Sequence, residues 1–339
     1  MSLKVAIAGY GLAGRYFHAP LLKGCGFEIV GIQTTNADRA AHACMDFQHA
    51  KVVPTITELV DLNPDLIVVA SANLVHAEHA LAAINAGIAV VVDKPMGRTL
   101  GETQLIVNAA REKGVFLSTF FNRRWDSDAL TVKRLIRERS LGPIHRYESR
   151  FERYKPELNS FGWRDQGNPE SGGGWLLDIQ THLVAGALDL FGPAEVAFAA
   201  MRNIRGASDD DVIIVLHHLM GVDSYLTASA VSGFTGPRVR ISARGGTLVI
   251  NDLDPQEEML KRGEIPHGGR WNSPTNSEAR LYRGDNSNFE TIPSENGSYV
   301  DYYLQVRQAI TDGSPMPVAN KDALEVARLI DIAREISLR

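Results

Sequence analysis

The sequence predicts an α/β chain of two domains: a doubly wound parallel sheet, then an α+β domain with an open, mainly antiparallel sheet. Three observations carry that expectation. With 339 residues the chain exceeds what one ordinary hydrophobic core organises. Its first third alternates apolar runs with helical patterns across short connections, the pattern of a sheet with crossover helices. After Thr119 the alternation stops and strand-like runs cluster, so the first domain is expected over 1–120 and the second over 121–339, with the last helices packing back on the first.

In the first domain, strands are expected over 4–8, 27–33, 51–53, 66–70, 89–92 and 115–119. A β-branched run without alternation, such as Ala89-Val90-Val91-Val92, suits a strand covered by helices on both faces. Helices over 75–86 and 100–113 stop at Gly87 and Gly114, where left-handed caps belong. The second domain opens with a basic helix over 127–139, the turn Leu141-Gly142-Pro143 and a strand over 144–154. An apolar helix over 175–191 ends at Gly192-Pro193, and strands follow over 196–201, 211–218, 224–231, 239–243 and 247–250. Residues 262–276, rich in Gly, Pro and polar types, read as a long loop, and helices over 299–311 and 321–336 close the chain.

Composition removes several classes of function. Apolar content of 44% and charged content of 22% are those of a globular protein. A formal charge of −5 without a basic cluster argues against nucleic acid as a partner. Cys25 and Cys44 are too few for a disulfide framework or a zinc site. No apolar run has the length to span a bilayer, and the first strand starts almost at once, so a cytoplasmic protein without a membrane partner is expected.

Gly9-Tyr10-Gly11-Leu12-Ala13-Gly14 follows the first strand and opens a helix, the context that makes a glycine pattern a dinucleotide-binding fingerprint and the first domain a Rossmann domain. The glycines let the backbone approach a pyrophosphate, and the helix N-terminus supplies free N–H groups for the anion. The second strand ends in Ile32-Gln33-Thr34-Thr35-Asn36, with no acid before Asp38. Enzymes that use NAD carry a carboxylate there for the ribose 2′-OH. Thr34 and Thr35 can instead donate to a 2′-phosphate that Arg39 neutralises, so NADP(H) is expected over NAD(H); the alternative is an ordinary polar turn. After the fourth strand, Ser71, Asn73 and His76 border the room left for ribose and nicotinamide, and His76 with His79 reads as a solvent-facing or cofactor-side pair rather than a metal site.

The apolar run 89–92 ends in Asp93-Lys94-Pro95. Ligands of open parallel sheets bind beyond the carboxyl ends of the strands, so Lys94 is expected to face cofactor and substrate; the alternative is a surface lysine at a strand end. In Ser171-Gly172-Gly173-Gly174-Trp175-Leu176-Leu177-Asp178-Ile179-Gln180-Thr181-His182 a glycine run precedes a helix whose i and i+4 positions put Asp178 and His182 on one face. An imidazole can take a hydroxyl proton while hydride leaves the same carbon, and a lysine can hydrogen-bond the oxygen throughout. Alone, the pair also reads as a helix-surface pair; the glycine run and Lys94 favour chemistry. No third ligand at a matching spacing supports a metal. His217 and His218, adjacent in a strand, point to opposite faces, and Asp209-Asp210-Asp211 reads as a solvated strand entry.

These motifs resemble those of the Gfo/Idh/MocA oxidoreductases over essentially the whole chain: the glycine fingerprint, Asn73 with His76, Lys94-Pro95, Trp163-Arg164, the glycine run, and Asp178 with His182. Within that family the chain looks most like the branch of NADP-dependent scyllo-inositol dehydrogenases. Phe17-His18-Ala19-Pro20, Val91-Val92-Asp93-Lys94-Pro95 and Asn122-Arg123-Arg124-Trp125-Asp126-Ser127-Asp128 carry that likeness, including Asp93 where most of the family has Glu. The resemblance implies a catalytic group of Lys94, Asp178 and His182. In it His182 is the general acid/base, Asp178 orients substrate or imidazole, and Lys94 polarises the reacting oxygen. It also implies a cis Lys94-Pro95 bond and a homodimer or homotetramer formed through the second-domain sheet. Arg123, Arg124, Tyr154, Trp163 and Arg164 are candidate substrate contacts, or else packing and ion-pair residues between domains. The chain departs from the family at Gln180, often Gly, and from the branch at Phe121, often His. The expected activity is NADP(H)-dependent interconversion of a secondary alcohol of a cyclic polyol or sugar with its ketone. The alternatives are an NADP-binding sugar-sensing regulator without chemistry and a redox glycosidase that retains NAD.

Overall fold

A computed structural model describes residues 2–158, 171–206, 208–266, 278–284 and 287–338. The chain forms two compact units, the first of Met1–Asn122, Pro255–Ser273 and Ser298–Leu324, the second of Arg123–Asp254, Pro274–Gly297 and Glu325–Arg339.

The first unit is built on six strands, β1 (Lys4–Ala8), β2 (Glu28–Gln33), β3 (Lys51–Val53), β4 (Leu66–Val69), β5 (Ala89–Asp93) and β6 (Leu117–Phe120). All pair in parallel in the order β3-β2-β1-β4-β5-β6. Val5 to Ala8, Leu66 to Val69 and Val90 to Val92 have no exposed surface, which is why these segments are continuously apolar. Strand order reverses between β1 and β4, the switch point at which such sheets open a ligand crevice. Crossover helices occupy Ala37–Asp46, His76–Asn85 and Leu100–Lys113. Asn36 and Thr99 cap the first and last of these by accepting from the N–H groups of Arg39 and Glu102. Gly114 (φ 64°) ends the last one and turns the Val115 N–H back to Ala110, so β6 starts two residues later than the apolar pattern suggests. Helix Tyr299–Asp312 places Tyr299, Tyr302 and Tyr303, all without exposed surface, in the core of this unit.

The second unit holds β7 (Ile144–Glu152), β8 (Ala194–Arg202), β9 (Asp211–His218), β10 (Asp223–Ser229), β11 (Val239–Ala243), β12 (Gly246–Ile250), β13 (Ala279–Tyr282) and β14 (Phe289–Ile292). They form one sheet, β14-β13-β12-β11-β7-β10-β9-β8, antiparallel except between β7 and β10. On β9 Val212, Ile214 and Leu216 are fully buried while His217 is exposed and His218 is not, so the two histidines do face opposite ways. Strands β13 and β14 and helix Gln256–Lys261 lie in stretches whose sequence gave no strand or helix signal. The Asp209–Asp211 segment is also not the solvated strand entry its charges suggest: Asp210 is 1% exposed and pairs with Arg205 at 3.0 Å.

Candidate functional site

In the first unit the glycine loop is a backbone-to-backbone fit. A Cβ on Gly9 (φ 97°) would lie 2.6 Å from Ser71 Cα, and one on Gly14 would lie 2.0 Å from the Gly9 carbonyl oxygen. Bulkier residues there would force β1, the residues after β4 and the first helical turn apart. At Gly11 the nearest group to where a Cβ would stand is the Arg39 guanidinium, 3.7 Å away. The loop is therefore open on the side from which a pyrophosphate approaches, and the turn beginning at Ala13 supplies the helix start. Tyr10 contributes backbone only, since its buried phenol donates to Asp46 (2.9 Å), which also holds Arg15. Leu12 is exposed, Ala13 buried.

At the end of β2, Thr34 is buried; its N–H donates to Val53 and its hydroxyl accepts from the Asn36 N–H at 3.3 Å. Thr35 and Arg39 are exposed, and among the described residues Arg39 forms no ion pair. A cationic guanidinium thus stands beside the glycine loop without a carboxylate partner. These residues fit the adenosine end of a dinucleotide.

At the carboxyl ends of β4 and β5, the Ser71 hydroxyl is buried without a partner and Asn73 is 5% exposed. Lys94 is half-buried, and the Lys94-Pro95 bond is cis. Val69 pairs with Val92, so Lys94 leaves the sheet on the edge where Gly9 meets Ser71. His76 and His79 are not solvent-facing, at 1% and 8% exposure. His76 Nδ1 lies 2.8 Å from the Pro95 carbonyl and Nε2 3.1 Å from that of Ser71; a neutral imidazole has one N–H, so the ring donates to one of these carbonyls and rests between the two strand ends.

Burial holds His76 and His79 below the ordinary histidine pKa of 6.5; for His76 the carbonyl bonds and Asp93 only partly oppose it. A base with a depressed folded pKa binds fewer protons folded than unfolded. Stability is then complete above pH 6.5 and falls as pH drops through 6.5 towards the lower folded values. Urea unfolding from pH 8 to pH 5 is expected to show the midpoint falling below about pH 6.5, with His76→Gln flattening that fall. An unchanged slope in His76→Gln would remove His76 as a source.

In the second unit, helix Thr181–Phe191 is entered through a wide turn, Leu176–Gln180, of the kind frequent at functional sites. Most of the segment is buried, whereas Asp178, His182 and Gly186 are partly exposed, a stripe at i, i+4 and i+8 along one face. Three contacts fix its start and one its body. The Asp209 carboxylate accepts from the Leu176 N–H (2.6 Å) and the Asp209 carbonyl from the Trp175 N–H (2.8 Å). Gly174 (φ 93°) lies so close to Asp209 that a Cβ would stand 2.0 Å from its carboxylate. Gln180, without exposed surface, donates to the carbonyls of Val212 and Leu226.

His182 faces a cavity of about 20 Å³ shared with Arg123, Asp128, Tyr147, Ser149 and Arg238, room for about one water. Arg238 donates to Ser149 (2.8 Å), pairs with Asp128 at 3.3 Å and stacks on Phe151 at 4.3 Å; Arg123 stacks on the same ring at 4.5 Å and pairs with Asp126. Burial pushes the Tyr147 phenol up to about 12, so it stays protonated at neutral pH. Arg238, just before β11, carried no signal in the sequence, and Asp209, expected in a solvated strand entry before β9, instead holds the start of the helix.

The candidate substrate contacts divide. Arg123 borders the His182 cavity. Arg124 does not; it is 5% exposed and set against Asp189 at 3.7 Å, an interior ion pair. Tyr154 is 66% exposed and bridges to Val231. Trp163 and Arg164 lie outside the described residues. Among the described residues, no group of three or more His, Cys, Asp or Glu is placed to hold a metal, and no helix is long and apolar enough to cross a membrane.

Comparison with known proteins matches residues 3–121 to an oxidoreductase family described as having an NAD-binding Rossmann fold, and residues 133–337 to that family's C-terminal alpha/beta domain. The chain is 34% identical over 342 residues to scyllo-inositol 2-dehydrogenase (NADP(+)) of Bacillus subtilis, covering 99% of this chain and 94% of that one. It is 36% identical over 163 residues to 1,5-anhydro-D-fructose reductase of Ensifer adhaerens, 48% of each chain. Among solved structures, the oxidoreductase yvaA of Bacillus subtilis superposes with a TM-score of 0.89 at 34% identity, covering 100% of this chain and 96% of that one.

Proposed function

The chain belongs to the Gfo/Idh/MocA oxidoreductase family, an NAD(P)-dependent group, and from that premise we propose that it interconverts a secondary alcohol of a cyclic polyol or sugar with its ketone, using NADP(H). The observation that carries the proposal is Lys94, half-buried at the end of β5 on the sheet edge where the glycine loop meets Ser71. An ammonium has three donors and no acceptor, so it suits an oxygen that gains negative charge during reaction.

In this reading the loop Gly9 to Gly14 would hold the pyrophosphate and Ser71 and Asn73 would border the nicotinamide ribose; the cofactor, when bound, would supply the hydride chemistry. Lys94 hydrogen-bonds the substrate oxygen and stabilises its alkoxide character as the C–H bond breaks. His182 takes the hydroxyl proton in oxidation and returns it in reduction, while Asp178, one turn earlier on the same stripe, orients substrate or imidazole. The oxidation balances as alcohol and NADP⁺ giving ketone, NADPH and one proton. Support for a polyol or sugar substrate comes from the Bacillus subtilis and Ensifer adhaerens relatives. The open face of the second sheet, where Phe198 and Tyr225 are exposed, is the proposed surface for a dimer or tetramer.

NADP preference rests on Arg39. A guanidinium–phosphate pair is a strong charge-assisted contact, so Arg39→Ala is expected to raise the Kd for NADPH by roughly 10- to 100-fold. NADH binding should change by less than about twofold, since no phosphate is lost there. Equal affinity of the unaltered protein for NADPH and NADH would end the preference. A screen of inositols and aldoses with NADP⁺, followed by the absorbance of reduced nicotinamide, tests the activity. Net cofactor reduction with at least one of them is expected; a redox glycosidase gives no net reduction and a sensor gives none at all.

A further inference from the structure

Behind the strand end that carries Lys94 lies a row of buried polar groups with no role in the reaction as proposed. His18 ends the turn that follows the glycine loop and has no exposed surface. Its Nδ1 is 2.6 Å from the Tyr303 hydroxyl, 285 residues away along the chain. Its Nε2 faces Asp93 Oδ2 at 3.8 Å and, among the described residues, has no closer polar partner. The other Asp93 oxygen accepts from the Lys94 N–H at 2.8 Å. Phe120 packs on the His18 ring at 4.5 Å, and Tyr302 meets Tyr303 edge-on at 5.2 Å, so the row is locked in aromatic surroundings.

Such a group of polar side chains costs stability relative to an apolar filling, because buried carboxylate and imidazole must give up water. Burial alone would raise the Asp93 carboxyl, yet the His18 contact and the charges of His18, Lys94 and His76 hold it below the ordinary value. The carboxylate is therefore kept ionised, and its ionised form is what accepts from the lysine backbone. The same imidazole belongs to the segment that follows the glycine loop, so the cofactor turn and the lysine strand share one connection.

We propose that His18, held by Tyr303, is a positioning residue that fixes the Asp93 carboxylate and thereby the direction in which Lys94 leaves β5. The inference deepens the reading of Lys94 above and rests on it. A catalytic group displaced by about 1 Å can lose about 100-fold in rate while its surroundings stay folded.

The test compares Tyr303→Phe, which removes one hydroxyl and keeps the ring, with His18→Leu, in kcat, substrate KM, NADPH Kd and Tm. His18→Leu is expected to lower kcat by roughly 30- to 100-fold and Tyr303→Phe by about 5-fold, with KM and Kd within about twofold. In a Lys94→Met background His18→Leu should lower the residual rate no further, since a positioning residue has nothing left to position. Unchanged kcat in Tyr303→Phe and His18→Leu, or a loss in KM and Tm only, would overturn the positioning role. If His18→Leu does not fold, Tyr303→Phe decides alone. Retained turnover in Lys94→Met itself would instead overturn the reading of Lys94, so the two failures are distinguishable.

Discussion

Lys94→Met is expected to lower kcat by roughly 10³-fold, the loss that follows removal of a single donor to a developing oxyanion. Methionine keeps most of the stem length and the packing at the end of β5 but has no N–H to offer. NADPH affinity should stay within about threefold, because the proposed pyrophosphate site, Gly9 to Gly14, and the proposed ribose-phosphate contact, Arg39, are not touched by the substitution. Stopped-flow turnover beside fluorescence titration of NADPH separates the two quantities. A variant that binds NADPH and still turns over near the original rate would take Lys94 out of the chemistry.

The second large effect belongs to His182. Replacing a general acid/base removes a factor of about 10² to 10⁴, so His182→Gln is expected in that range. The arm of the pH–rate profile that reports His182 should disappear with it, leaving a flatter dependence on the acidic side in oxidation. Asp178→Asn keeps the side-chain shape and loses the charge, and a smaller loss is expected because its role is orientation. If His182→Gln kept the original pH–rate profile, the proton would have to pass through another group. Tyr147, on the same cavity and kept protonated by burial, is the first to examine.

How much of this could be read from the sequence depended on how local the cause was. Strands β1, β4 and β5 were legible because burial on both faces leaves continuous apolar runs. The glycine loop was legible because Gly9 and Gly14 each answer a backbone collision a few residues or one strand away. Asp178 and His182 stood out by spacing, and the structure adds that, with Gly186, they form a partly exposed stripe along one face.

What escaped the sequence was set by partners far along the chain. His76 was expected to be solvent-facing or cofactor-side, and the structure buries it with its ring between the carbonyls of Ser71 and Pro95. Asp209 was read as part of a solvated strand entry and Arg238 carried no signal. The first instead accepts from the N–H of Leu176 at the start of the segment carrying Asp178, and the second shares a cavity with His182, because β9 and β11, which they precede, lie in a sheet whose order no local pattern encodes. Arg124 went the other way, from candidate substrate contact to interior ion pair with Asp189. Strands β13 and β14 were invisible because short pairs flanked by polar residues carry little periodicity.

Hydride transfer itself can be followed with a carbon-deuterated form of the best inositol or aldose from the screen. The account predicts that deuterium appears on the nicotinamide ring of the NADPH formed, one per ketone, with a primary isotope effect on the chemical step. Deuterium retained in the recovered sugar without net NADPH, or no transfer to a cofactor that the protein nevertheless binds, would contradict it.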